Sequence, residues 1–261
     1  MELGLCIEMA LRELPFEKRF ARAGELGLRH VEMWFTDGSF KGSAKELRKL
    51  AEDAEVRITS TVIGSPDGGV GGGLTDASKR RQWLERAKAT LKFNKEAGIG
   101  AAIVCTGNAI EGKTDKAMRK AVTAGLAQTA KLAEKAGVTL LMEPLNTRHD
   151  HSGYWLTSSD LGAEICREVG SERVKLLFDC YHMQIMEGDL VGHIERNIDV
   201  IGHFHAAGVP GRHELFTGEV NYPYVLSQIG RRGYRGVFGL EYAPSMESGE
   251  SVAKTLEYLK K

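Results

Sequence analysis

Neither sign of charge predominates in this chain: 35 basic and 35 acidic side chains give a formal net charge of zero. That balance removes the general positive field that holds a polyanion, so no nucleic-acid partner is expected. Cysteine is scarce. Cys6, Cys105 and Cys180 fall in or at the end of apolar runs, Cys166 falls in a helical segment, and no CxxC pair occurs. Reduced, buried thiols are expected rather than a disulfide framework or a structural zinc. No stretch approaches the roughly 18 uncharged apolar residues of a membrane span. The first apolar run starts at Leu3 with no basic segment or small-residue cleavage site before it, so a cytoplasmic protein without a membrane partner is expected. No Gly-x-Gly-x-x-Gly follows that run, which weighs against a dinucleotide-binding fold.

What is present is a repeat. Eight short apolar runs span residues 3–9, 30–34, 56–64, 101–107, 138–146, 174–180, 201–208 and 236–242. Most are continuously hydrophobic rather than alternating, as strands covered on both faces should be. Charged, helix-periodic segments lie between them. In residues 114–136, Met118, Val122, Leu126 and Leu132 recur at helical spacing while the lysines and Arg119 fall mostly elsewhere, which predicts one buried stripe. Gly27, Gly98, Gly137, Gly170 and Gly233 each stand just before the next strand, where a glycine can end a helix in the left-handed conformation. Eight strand–helix units within 261 residues predict an α/β fold, a single-domain (β/α)8 TIM barrel over residues 1–261. The glycine-rich insertion at 64–76 follows the third strand and lacks the Lys-Ser or Lys-Thr of a phosphate loop. A lid over the active-site mouth is one expectation for it, and a plain connector the other.

Four runs end on metal-ligand residue types: Glu143 in VTLLMEPLN, Asp179 in VKLLFDCYH, His205 in IGHFHAAG and Glu241 in GVFGLEY. The exits of barrel strands are where such enzymes keep their chemistry. Three carboxylates brought together behind apolar residues would bury uncompensated negative charge, and a divalent ion relieves it. Oxygen-rich ligation with one imidazole suits Mn2+, Mg2+ or Co2+. An ion bridging a carbonyl and the neighbouring hydroxyl acidifies the C–H between them through an enediolate, with Glu143 and Glu241 as base and acid. Around them, His182 and Arg212 are candidates for holding substrate oxygens, with Asn146 and Arg148 as weaker ones and His213 and Glu214 weaker again.

The phrases EPLNTR, FDCYHMQIMEGDL, AGVPGRHE, TGEVNYPYV and the final LEY resemble the hydroxypyruvate isomerase-like branch of the xylose-isomerase-type TIM barrels, which also contains ketose 3-epimerases. The resemblance implies metal ligation by Glu143, Asp179, His205 and Glu241, acid/base roles for the two glutamates, and substrate binding by His182 and Arg212. Hydroxypyruvate isomerases of this type often carry glutamine where this chain has His205, a departure toward the epimerases that strengthens metal dependence. The resulting expectation is an isomerase that interconverts an α-hydroxy aldehyde and an α-hydroxy ketone, of the hydroxypyruvate/tartronate semialdehyde type. A metal-dependent ketose 3-epimerase is the alternative. Less favoured are an abasic-site endonuclease, since the third and fourth strand exits offer no histidine, and a noncatalytic sugar-binding barrel. The expected partner is a small sugar or hydroxy-acid substrate. A homo-oligomer is also considered, with Tyr222 and Tyr224 taken as exposed and available to a lid or an interface.

Overall fold

The computed structural model describes residues 1–260. Its strands are β1 (Glu2–Cys6), β2 (His30–Glu32), β3 (Arg57–Ile58), β4 (Ser60–Val62), β5 (Ala101–Val104), β6 (Thr139–Met142), β7 (Val174–Asp179), β8 (Ile201–Ala206) and β9 (Val237–Leu240). All pair in parallel, in the order β3-β2-β1-β9-β8-β7-β6-β5-β4. The two ends of that order are consecutive pieces of one stave, interrupted at Thr59. Its backbone still bonds both neighbours, N–H to Val31 O at 2.9 Å and C=O from Ala101 N at 3.2 Å. The sheet therefore closes as an eight-stave TIM barrel, as the repeat predicts.

Between the staves run α1 (Phe16–Glu25), α2 (Ala44–Asp53), α3 (Arg80–Ala97), α4 (Asp115–Ala136), α5 (Ser159–Val169), α6 (Cys180–Met186), α7 (Leu190–Asn197) and α8 (Tyr222–Arg231), with α9 (Ser248–Tyr258) last. Local chemistry sets their ends. Ser43 and Glu46 close a reciprocal capping box at the start of α2, of a kind that contributes about 1 kcal/mol. Gly98, Gly137 and Gly170 end α3, α4 and α5 in the left-handed conformation. In α4 the buried stripe is Met118, Val122, Leu126, Ala130 and Ala133. Leu132 is only partly buried, because Ala130 and Ala133 hold the tighter positions against the barrel. All four cysteines are free and buried. Among the described residues no helix is long and apolar enough to cross a membrane.

The apolar runs overshoot the strands, since the last residues of most runs turn out of the sheet at its C-terminal rim. Tyr222 is fully buried with its hydroxyl donating to Ala207 O at 2.6 Å, because the first turn of α8 packs onto the barrel; Tyr224 alone of the pair is exposed. The segment 64–76 is anchored along its second half. Leu74 and Thr75 are buried, Thr75 N donates to Thr106 O at 3.0 Å, and Gly73 rests on Gly107, where a Cβ would stand 2.7 Å from the Gly73 Cα.

Candidate active site

The C-terminal rim of the barrel brings four of the sequence candidates to one point. Asp179 is the last residue of β7 and His205 the penultimate residue of β8; Glu143 and Glu241 follow β6 and β9 directly. Neighbouring staves thus deliver one candidate ligand each. Their ligand atoms all lie within 4.8 Å of one another, and all four residues are buried. His205 Nδ1 lies 3.7 Å from Glu143 Oε1 and 3.5 Å from Glu241 Oε2.

Three buried polar atoms at this point have no hydrogen-bond partner: Glu143 Oε1, His205 Nδ1 and His182 Nε2. Buried polar atoms left unpaired are costly, and the ligand atoms of Glu143, Asp179, His205 and Glu241, all within 4.8 Å of one another, could surround a divalent cation. Their titration carries the same signature. Burial, reinforced by the nearby Glu143 charge, pushes Asp179 up to about 7. Burial also raises Glu143 despite the opposing pull of His205. Burial would raise Glu241 too, but the Arg212 and His205 charges hold it well below the usual carboxylate range. Burial depresses His205, yet Glu32 and Glu241 win and raise it well above an ordinary imidazole. A crowded, partly protonated carboxylate set is what such a cluster becomes without a cation.

Above this floor opens a cavity of about 280 Å³. One side is polar. Arg212 donates from Nη2 to Glu241 Oε2 at 2.6 Å and lies over the Tyr181 ring at 5.2 Å, while its Nε is buried without a partner. Its backbone is left-handed, with φ 58°, a conformation that costs a non-glycine residue about 1–2 kcal/mol and is concentrated at functional sites. His182 is fully buried. Its Nδ1 lies 2.7 Å from Asn146 Nδ2 and 3.3 Å from the Asn146 backbone N–H, so Nδ1 accepts and Nε2–H is the donor left facing the cavity. Burial, then the neighbouring Arg212 charge, holds this imidazole well below its ordinary pKa, hence neutral. The other side is apolar, with Trp34, Phe35, Val62, Ile103, Cys105 and Leu145.

The remaining candidates sit elsewhere. Asn146 is buried beneath His182 and also donates to Asp150 Oδ2 at 2.6 Å. Arg148 is exposed, and its guanidinium is engaged by the Ile185 carbonyl at 2.6 Å. His213 donates to Ala243 O at 2.8 Å. Glu214 accepts from the Ser245 backbone N–H and from the Ser245 and Ser251 hydroxyls, which ties two rim loops together.

Four residues at the site escaped the sequence. Trp34 donates from Nε1 to Glu241 Oε1 at 3.1 Å, and His151 packs on His182 with ring centroids 5.3 Å apart. Beneath the cluster Glu32 takes His203 Nε2 on Oε1 at 2.7 Å and His205 Nε2 on Oε2 at 2.6 Å. Trp34 and Glu32 stand at the exit of the second apolar run, in HVEMW, which is the signal that could have found them. The HFH pattern puts His203 on the same strand face as His205.

A sequence profile of the xylose isomerase-like TIM barrel family matches residues 20–261. The chain is 35% identical over 256 residues to a 2-oxo-tetronate isomerase of Cupriavidus necator, covering 97% of this chain and 96% of that one. It is 28% identical over 240 residues to the hydroxypyruvate isomerase of Escherichia coli, covering 91% and 92%. Among solved structures, one described as an AP endonuclease, family 2, from Brucella melitensis superposes with a TM-score of 0.89 at 28% identity, covering 99% of each chain. A D-psicose 3-epimerase from Clostridium cellulolyticum H10 superposes with a TM-score of 0.81, covering 100% and 98%, but at 18% identity it is similar in fold alone.

Proposed function

Because the chain belongs to the xylose isomerase-like TIM barrel family, we propose that it is an isomerase of short 2-oxo-3-hydroxy acids, moving the carbonyl between C2 and C3. Hydroxypyruvate and 2-oxo-tetronate, the acids in the names of its relatives, share this unit. The observation that carries the reading is the convergence of Glu143 and Glu241 on one buried cluster with Asp179 and His205, beside the unpartnered donors Arg212 Nε and His182 Nε2.

A divalent ion held by Glu143, Asp179, His205 and Glu241 would supply Lewis-acid polarisation of the substrate carbonyl and its neighbouring hydroxyl. The rest is work for the chain's own side chains. One glutamate takes the proton from C3 as the C2 carbonyl electrons move onto oxygen, and a carboxyl group returns a proton to C2 of the resulting enediolate. The 3-hydroxyl proton moves to the C2 oxygen, so the isomerisation balances with no outside reagent. Arg212 Nε and the neutral His182 Nε2–H are positioned to orient the carboxylate and oxygens of the substrate. Trp34 and Phe35 flank the cavity and limit water at the reacting carbons.

Two glutamates also suit a ketose 3-epimerase, but the unpartnered Nε of Arg212, whose Nη2 is already paired with Glu241, favours an acid. An abasic-site nuclease reading meets an obstacle in the ligand set. Among the described residues the two groups able to hold a metal both depend on His205, and the net charge of zero offers no polyanion track. The test is proton NMR in D2O with Mn2+-free, Mg2+-loaded protein, offering hydroxypyruvate, 2-oxo-tetronate and free ketoses with and without EDTA. Deuterium at the former carbonyl carbon of the acid, lost in EDTA, is the expected result. Exchange at C3 of a ketose, with the acids untouched, would replace the proposal by an epimerase.

A further inference from the structure

The floor of the barrel beneath the carboxylate cluster is polar where such interiors are usually packed with branched apolar side chains. Glu32, 2% exposed, projects inward from the end of β2 between two histidines of β8. Each of its oxygens serves one imidazole: Oε1 with His203 Nε2 at 2.7 Å, Oε2 with His205 Nε2 at 2.6 Å. The Thr59 hydroxyl also donates to Oε1 at 3.2 Å. Room for the pair comes from β9, whose Gly239 is in register with His205. A Cβ there would stand 2.6 Å from His205 Cδ2 and 2.8 Å from Glu32 Oε1. These contacts turn His205 so that Nδ1, without a partner, faces Glu143 and Glu241.

We propose that Glu32 is the positioning residue of the site: by accepting Nε2–H from His205 it fixes the tautomer and ring orientation that leave Nδ1 as the ligand nitrogen, while His203 locks the second carboxylate oxygen. The inference rests on the metal-site reading above. Its chemical logic is the number of acceptors. A carboxylate can accept from both imidazoles at once, whereas a glutamine in the same place has one acceptor and one donor group. In Glu32→Gln one histidine therefore meets an NH2 group and must present a bare Nε2, which puts the proton on Nδ1. Where that histidine is His205, the proton occupies the position a cation needs. Partners of this kind commonly set metal affinity by 10–100-fold.

The experiment is calorimetric titration of wild type, Glu32→Gln, His203→Gln and the double variant with Mn2+, together with 15N NMR of the imidazoles in the Mg2+-loaded proteins and circular dichroism as the check on folding. Glu32→Gln should bind Mn2+ about 10–100-fold more weakly, with the His205 proton moved to Nδ1. His203→Gln should bind as wild type, because an amide NH2 still serves Glu32. The double variant should regain most of the affinity, since the amide carbonyl introduced on β8 can accept from the NH2 introduced on β2, which frees the β2 amide carbonyl to accept from His205. A folded Glu32→Gln in which both His203 and His205 keep Nε2–H and the affinity is unchanged would overturn the inference and leave the metal site standing, whereas a proton moved to Nδ1 of His203 in place of His205 shows the amide carbonyl still serving His205 and supports it. Wild type that takes up no ion would overturn both. Should Glu32→Gln fail to fold, the wild-type spectrum decides alone: Nε2–H with a bare Nδ1 on His205 supports the assignment, and Nδ1–H refutes it.

Discussion

At the scale of single residues, the four candidate ligands were legible because each closes an apolar run with a group that has no place in an apolar core. Glu143 and Glu241 carry the proposed proton transfers, and positioned acid–base groups contribute roughly 10²–10⁴-fold to rate. Glu143→Gln and Glu241→Gln should each lose at least that much turnover, measured as deuterium uptake, while both variants remain folded; an active Glu143→Gln protein would end the assignment. Asp179 yields a pH prediction. Its carboxyl is raised from 3.8 to about 7 by burial and by Glu143, and a group whose folded pKa lies above its unfolded one loses its stabilising contribution as pH rises through the folded value. In EDTA the melting temperature should therefore fall between about pH 4 and pH 7 through this group, and Asp179→Asn should flatten that segment of the profile. Superimposable profiles would remove Asp179 from the account. Glu32 and His203 were not legible in the same way. Their meaning depends on a contact across 171 residues between strands that are distant in sequence, and an acid at a strand end reads equally well as a cap.

At the scale of elements, glycine positions proved the most readable feature, since left-handed helix ends need them whatever the tertiary context. What the glycines of the 64–76 segment do was less readable, because their reason lies in a different loop. Gly107 adopts φ 95° and its missing side chain leaves space for the Gly73 backbone. Gly107→Ala should thus cost about 1–3 kcal/mol, the usual range for overpacking and backbone strain. It should also make residues 64–76 a site of proteolytic cutting. An unchanged melting temperature and digestion pattern would show the contact to be dispensable. The neighbouring rim loop, which follows β2, is secured differently: Arg86 grips Asp37 with two hydrogen bonds of 2.7 and 2.8 Å and donates to Ile63 O at 2.9 Å. Tyr222 departs from its sequence expectation at this scale, since the polar letters of NYPY conceal a helix start whose tyrosine is turned inward.

At the scale of the whole molecule, the closed barrel followed from rhythm, yet the break at Thr59 left no trace in the sequence, because a strand interruption bridged by both neighbours does not change the apolar pattern. A cation at the cluster would join four staves and neutralise their carboxylates, so its removal should act on global stability. At an ion concentration about 100 times the dissociation constant, binding to the folded state alone contributes about 2.7 kcal/mol, and each kcal/mol moves the midpoint of a chain this size by roughly 2–4 °C. Chelation should lower the melting temperature accordingly and Mn2+ should restore it; a midpoint indifferent to both would argue against a resident ion.

The four candidate ligands come from β6 to β9 or the residues directly after them, whereas Trp34, Phe35, Val62, Ile103 and Cys105 of the cavity wall come from β2 to β5 and their exits. The first half of the chain thereby supplies most of the apolar wall, while the second half supplies the candidate ligands together with Arg212 and His182. A substitution on the apolar wall can thus reshape one face of the cavity without disturbing the carboxylate cluster on the other.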